Sequence, residues 1–159
     1  MRLRDYRSED TDWLIDLFRD TVRSITLGDY TVEQVRAWAP DAIDREAWAR
    51  RLAANQTVVA EVRGRIVGFA ELTADGQVEM LYCHKDHQGE GAGSALLARL
   101  ERAARDQGLT RLGTEASVTA RPFFEARGFQ VVARQEVERR GQRLVNFAMT
   151  KPLAADGSP

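Results

Sequence analysis

A mixed α/β domain of the α+β kind is predicted, with a mostly antiparallel sheet of about six to seven strands and helices on both faces. Two patterns predict it. Three strand-like runs, Thr57 to Val62, Ile66 to Thr73 and Gln77 to Cys83, follow one another across the turns Arg63-Gly64 and Asp75-Gly76, short enough for antiparallel hairpins. The third run then leads through a glycine-rich loop and an amphipathic helix into a further strand, Thr110 to Ala116. A helical crossover makes two such strands parallel.

The remaining elements follow from local chemistry. Leu3 to Arg7 reads as a first strand, and Leu14, Leu17, Phe18, Thr21 and Ile25 recur at helical spacing. A short second helix starts at Thr31, where Thr31 and Gln34 form a capping box, and Pro40 ends it. A third begins at Asp44, with Ile43 and Trp48 at the positions of a hydrophobic staple and no Gly or Pro before Ala54. The helix after the glycine loop, Ser94 to Arg105, puts Ala92, Leu96, Leu100 and Ala103 on one side. Arg99, Glu101, Arg102 and Arg105 lie mostly on the other. A helix from Thr119 to Ala126, stopped by Gly128, and a hairpin turning near Arg140-Gly141 complete a single domain over residues 1–152. Residues 153–159 read as a loose tail.

The chain has 159 residues, 43% of them apolar, enough for one substantial core. A net charge of -1 provides no global basic field for nucleic acid or an anionic membrane. One cysteine and two histidines, His84 and His87, supply neither a disulfide framework nor a zinc site, so no metal is expected. No apolar run reaches the roughly 18 residues that span a bilayer, and a soluble, cytoplasmic protein is expected.

The loop Gln88-Gly89-Glu90-Gly91-Ala92-Gly93 joins a strand to a helix, where bared amides beside the positive end of a helix suit a diphosphate. A dinucleotide fingerprint would need glycine at Ser94, and a nucleotide-hydrolase loop would need lysine there. The pattern Gln/Arg-x-x-Gly-x-Gly/Ala is matched by Gln88, Gly91 and Gly93. Leu81-Tyr82-Cys83-His84-Lys85-Asp86 is similar to Leu-x-Val-His-Pro-Asp, and the run Ala120 to Phe129 to Ala-x-x-Phe-Tyr-Glu-Lys-x-Gly-Phe. On these three motifs the chain resembles the GCN5-related N-acetyltransferase (GNAT) superfamily over about residues 1–152.

The resemblance implies that the parallel strands splay and that a pantetheine arm bonds the backbone at Leu81, Tyr82 and Cys83 in the gap. It implies that Gln88, Gly89, Glu90, Gly91, Ala92, Gly93 and Ser94 hold the pyrophosphate of coenzyme A. Arg127, the basic residue of the later motif, is assigned to the nucleotide phosphate, and Phe123 and Phe124 to the arm. The acceptor side is expected at Tyr30 and Trp38, with Gln34, Arg143 and Asn146 nearby.

The reaction so implied moves an acetyl group from acetyl-coenzyme A to a primary amine of a small molecule or peptide, by direct attack in a ternary complex. Glu79 is the expected base, and strand alternation puts it on the face of Leu81 and Cys83, with Tyr82 turned away. Glu71 and Glu115 are rivals. Phe124 stands where the superfamily commonly has a proton-donating tyrosine, and Ser117 where it has asparagine, so Ser117, Tyr82 or water is left to donate. Cys83 lacks a visible activating triad for an acetyl-cysteine route. The competing reading is an acyl-coenzyme A sensing module with little turnover. The acceptor is left unnamed, and a homodimer is allowed.

Overall fold

The computed structural model describes residues 1–154. Four strands, β1 (Arg2–Asp5), β2 (Gln56–Val62), β3 (Arg65–Leu72) and β4 (Gln77–Cys83), form one antiparallel half of a sheet. The other half comprises β5 (Arg111–Ser117), β6 (Gln130–Arg139) and β7 (Gln142–Pro152), with β7 inserted between β5 and β6. The sheet runs β1-β2-β3-β4-β5-β7-β6. Among the described strands only β4 and β5 pair in parallel, and their ladder has just two pairs, Gln77 with Gly113 and Val78 with Thr114. Beyond Val78 the two strands separate, leaving a gap in the middle of the sheet.

The turns follow from their residues. Arg63 (φ 54°) with Gly64 (φ 78°), and Arg140 (φ 47°) with Gly141 (φ 82°), adopt the left-handed pairs that match strand twist in two-residue hairpins. At the start of the expected tail, residues 153–159, the Leu153 amide bonds the Thr110 carbonyl at 2.8 Å. Residues 155–159 lie outside the described residues.

Helices cover both faces. α1 (Thr11–Ile25), α2 (Val32–Trp38) and α3 (Arg45–Ala54) pack Leu14, Phe18, Val35 and Leu52 against Val59, Phe69 and Leu144. On the opposite face α4 (Ala92–Asp106) and α5 (Arg121–Ala126) bring Leu96, Leu97, Leu100 and Phe124 onto Ala70, Leu72, Val78 and Leu112. The capping box forms as expected, with the Thr31 hydroxyl accepting the Gln34 amide and the Gln34 side chain accepting the Thr31 amide. Asp44 caps α3 by accepting the Ala47 amide at 3.1 Å, and Ile43 and Trp48 both pack on the core. Ile25 departs from its expected core position and is 36% exposed, because α1 ends there and the chain turns away. No helix among the described residues is long and apolar enough to cross a membrane.

Candidate active site

β4 and the loop after it organise the site. The Leu72–Glu71 step of β3 opposes an extra residue in β4, so that Leu72 pairs with Val78 and Glu71 with Met80, leaving Glu79 in a bulge. The bulge overturns the expected alternation. Val78, Leu81 and Cys83 face α4, Met80 and Tyr82 face α1, and Glu79 joins Tyr82 in lining a cavity of about 240 Å³.

Tyr30, Trp38, Glu115, Ser117 and Asn146 also line that cavity, together with Val137, Arg139 and Leu144 of the last hairpin. Gln34 and Arg143 do not. The Gln34 amide is spent on the Arg143 carbonyl at 2.7 Å, and the Arg143 guanidinium reaches Glu136. Tyr30 is 6% exposed and its hydroxyl accepts the Val118 amide at 2.8 Å while donating to the Val145 carbonyl, so the ring alone is presented. Trp38 meets it edge-on at 5.5 Å between centroids.

The three carboxylates differ sharply. Glu71 is fully buried and bound by Arg51, at 3.0 and 3.2 Å, and by the Asn55 amide at 2.7 Å. It lies outside the cavity lining. Glu79 and Glu115 line the cavity and have no hydrogen-bond or ion-pair partner among the described residues. Burial raises the Glu79 pKa above the usual carboxylate value; the Glu71 charge adds to this, Arg51 opposes it and Glu115 adds again.

The possible proton donors separate as well. Phe124 is 4% exposed and enclosed by Phe123 and Phe129. Ser117 accepts the Ala120 amide at 3.0 Å, which leaves its own proton free. Burial lifts the Tyr82 phenol well above its ordinary value, with the neighbouring Trp38 side chain acting against it. Burial pushes the Cys83 thiol up to about 11, the nearby Arg127 opposing, which disfavours the thiolate that an acetyl-cysteine route requires.

The glycine loop lies at the far end of β4. Gln88 folds back and donates its side-chain amide to the Cys83 carbonyl at 2.6 Å, and the Thr21 hydroxyl reaches the same oxygen at 3.1 Å. Gly91 starts α4 in the left-handed region (φ 89°), with no side-chain cap. The first bond of this helix, from the Ala95 amide to the Gly91 carbonyl, leaves the amides of Ala92, Gly93 and Ser94 without intrahelical partners. A Cβ on Gly93 would lie 2.9 Å from the Phe123 ring and 3.4 Å from the Cys83 sulfur. Arg127 stacks over Phe123, 3.7 Å from its centroid, and donates to the Ser94 hydroxyl. Glu90 is held by His87 at 2.7 Å.

Just after β4 the His84 amide bonds the Val67 carbonyl of β3 at 2.8 Å. Antiparallel alternation then turns the Tyr82 backbone groups toward β3, while the Leu81 N–H and C=O and the Cys83 N–H face the gap. Of the three residues assigned to an arm there, Tyr82 contributes its side chain to the cavity rather than backbone to the gap. The Cys83 carbonyl is occupied by Gln88 and Thr21. Arg139, Val137 and Leu144 carry no visible signal in the sequence. They reach the cavity because the hairpin folds over α2, where Arg140 donates to the Ala37 carbonyl at 2.6 Å.

Known proteins share this arrangement. Residues 26–151 match the acetyltransferase (GNAT) domain family. The chain is 34% identical over 149 residues to the uncharacterised N-acetyltransferase YafP of Escherichia coli K12, covering 94% of each chain. A GCN5-related N-acetyltransferase structure from Rhodopseudomonas palustris superposes with a TM-score of 0.93 at 37% identity, covering 96% of this chain and 95% of that one. The PaiA N-acetyltransferase of Thermoplasma acidophilum, solved in complex with coenzyme A, has the same fold, with a TM-score of 0.78 at 19% identity and coverage of 95% and 98%. With its motifs, its interrupted parallel pair and its relatives in agreement, the chain belongs to the GNAT family and is an enzyme of the acetyltransferase class.

Proposed function

We propose that the protein transfers an acetyl group from acetyl-coenzyme A to a primary amine by direct attack, with Glu79 as the base. The observation that carries this reading is the position of β4 between two complementary spaces. One end of the strand leads into uncapped amides at Ala92 to Ser94, and the bulge at the other puts an unpaired carboxylate in an open cavity.

The residues present fit a coenzyme A donor. Three unpartnered amides and the anchored Arg127 suit its phosphates, and the free groups of Leu81 and Cys83 suit the amides of its arm. Acetyl-coenzyme A supplies the acyl group as a thioester. Glu79 takes the proton that the acceptor ammonium must lose, and its raised pKa brings its basicity nearer to neutral. The amine nitrogen then forms the C–N bond as the C–S bond breaks. A gap-facing strand N–H is available to the carbonyl oxygen as charge builds on it. Ser117 holds a proton for the departing sulfur, although a thiol of pKa about 8.5 leaves without much help.

A second reading, a coenzyme-sensing module with little turnover, is favoured by the buried Phe124, which has no proton to give. Thiol release from acetyl-coenzyme A with a panel of amines and peptides distinguishes the two. Turnover with any amine removes the sensor. Stabilisation by acetyl-coenzyme A and coenzyme A, but not by ATP or NAD, tests the donor, since ligand at 100 times its Kd adds about 2.7 kcal/mol. No shift with either coenzyme would sink the reading.

A further inference from the structure

The acceptor cavity is charged at both ends, and the ends have opposite signs. Glu79 and Glu115 stand where β4 and β5 part, without cationic partners among the described residues. Arg139, exposed at the end of β6, lines the same cavity, has no carboxylate partner among the described residues, and donates to the Glu138 carbonyl at 2.9 Å. The rest of the lining mixes the rings of Tyr30 and Trp38 and the apolar Val137 and Leu144 with the polar Gln77, Ser117 and Asn146.

The sheet register sets the separation. Glu115 is opposite Ala148 of β7, and Arg139 is opposite Gln142. Those levels lie about 20 Å apart at the usual strand rise, a separation that side chains as long as glutamate and arginine can narrow but do not close. We propose that the acceptor is an elongated zwitterion, a primary amine joined by a spacer to a carboxylate or similar anion. Its ammonium meets Glu79 and Glu115, and its anion meets Arg139. An α-amino acid is too short to span both ends. A diamine would put a cation beside Arg139, and a plain alkylamine would leave that guanidinium unused.

This inference rests on the acetyl-transfer reading, so binding is measured apart from turnover. With coenzyme A present, calorimetry compares 6-aminohexanoate, glycine, hexylamine and 1,5-diaminopentane. The expected order places 6-aminohexanoate at least tenfold tighter than the others, and Arg139→Gln lowers its advantage over hexylamine about tenfold. The same order is expected in kcat/KM from thiol release. Equal or tighter binding of hexylamine or the diamine overturns the inference, as does an advantage that Arg139→Gln leaves intact. Binding in the expected order without turnover would count against the acetyl-transfer reading alone.

Discussion

The Tyr30 hydroxyl takes the Val118 amide at 2.8 Å, and by also donating to Val145 it ties the α1–α2 connection to the chain leaving β5 and to β7. Tyr30→Phe keeps the ring but leaves a buried amide without this partner. A loss of about 1–3 kcal/mol in unfolding free energy is expected from denaturant titration. The acceptor KM should rise more than kcat falls, because the wall loosens while Glu79 stays.

Glu79→Gln removes the proposed base, and kcat/KM should fall about 100-fold or more, with the acid limb of its pH profile flattened. Stability should move the other way. A carboxyl whose pKa is raised by folding favours the native state while protonated, and this contribution is lost as pH rises through the raised value. The variant should therefore melt above the wild type at pH 7, with the difference closing as pH drops below about 4. A wild-type-like rate would move the role to Glu115 or water.

Arg51 couples the buried Glu71 to this chemistry. Arg51→Ala leaves a fully buried carboxylate with only the Asn55 amide, at an expected cost of about 3 kcal/mol, and adding Glu71→Gln should recover part of it. The acid limb of kcat/KM should shift to higher pH in Arg51→Ala, since the cation that opposes the rise in the Glu79 pKa is gone. An unmoved limb would separate Glu71 and Arg51 from the site.

Gly93→Ala should weaken coenzyme A binding about tenfold in calorimetry. The new methyl would meet the Phe123 ring at 2.9 Å and displace the stack that positions Arg127 over the loop. Gly91→Ala meets no neighbour, and its expected cost of about 1–2 kcal/mol comes from the left-handed backbone instead.

Phe124→Tyr should increase kcat less than tenfold, because a hydroxyl enclosed by Phe123 and Phe129 has a solvation cost and the thiol leaves without it. A hundredfold gain would show that proton donation controls the rate.

Local chemistry was legible along the chain. The Arg63-Gly64 and Arg140-Gly141 turns, the Thr31 to Gln34 box and the glycine loop each depend on neighbours within a few residues, and each forms where expected. Glu79 illustrates what was not legible. A bulge has no periodic signature, and its place is set by how β3 and β4 register, so alternation alone separated Glu79 from Tyr82. Arg139 and Val137 are invisible for a similar reason: their approach to Trp38 depends on a hairpin docking on α2, about a hundred residues earlier in the chain.

The two-pair ladder between β4 and β5 gives the sheet an internal edge. Strand edges ordinarily lie at a sheet's margins, where they invite pairing with foreign chains. Here the edge is roofed by the α1–α2 connection and the last hairpin, which are pinned together through Tyr30. A ligand that pairs with Leu81 and Cys83 would serve as a missing strand, and amide exchange at those two residues would slow on binding while the outer strands stayed unchanged.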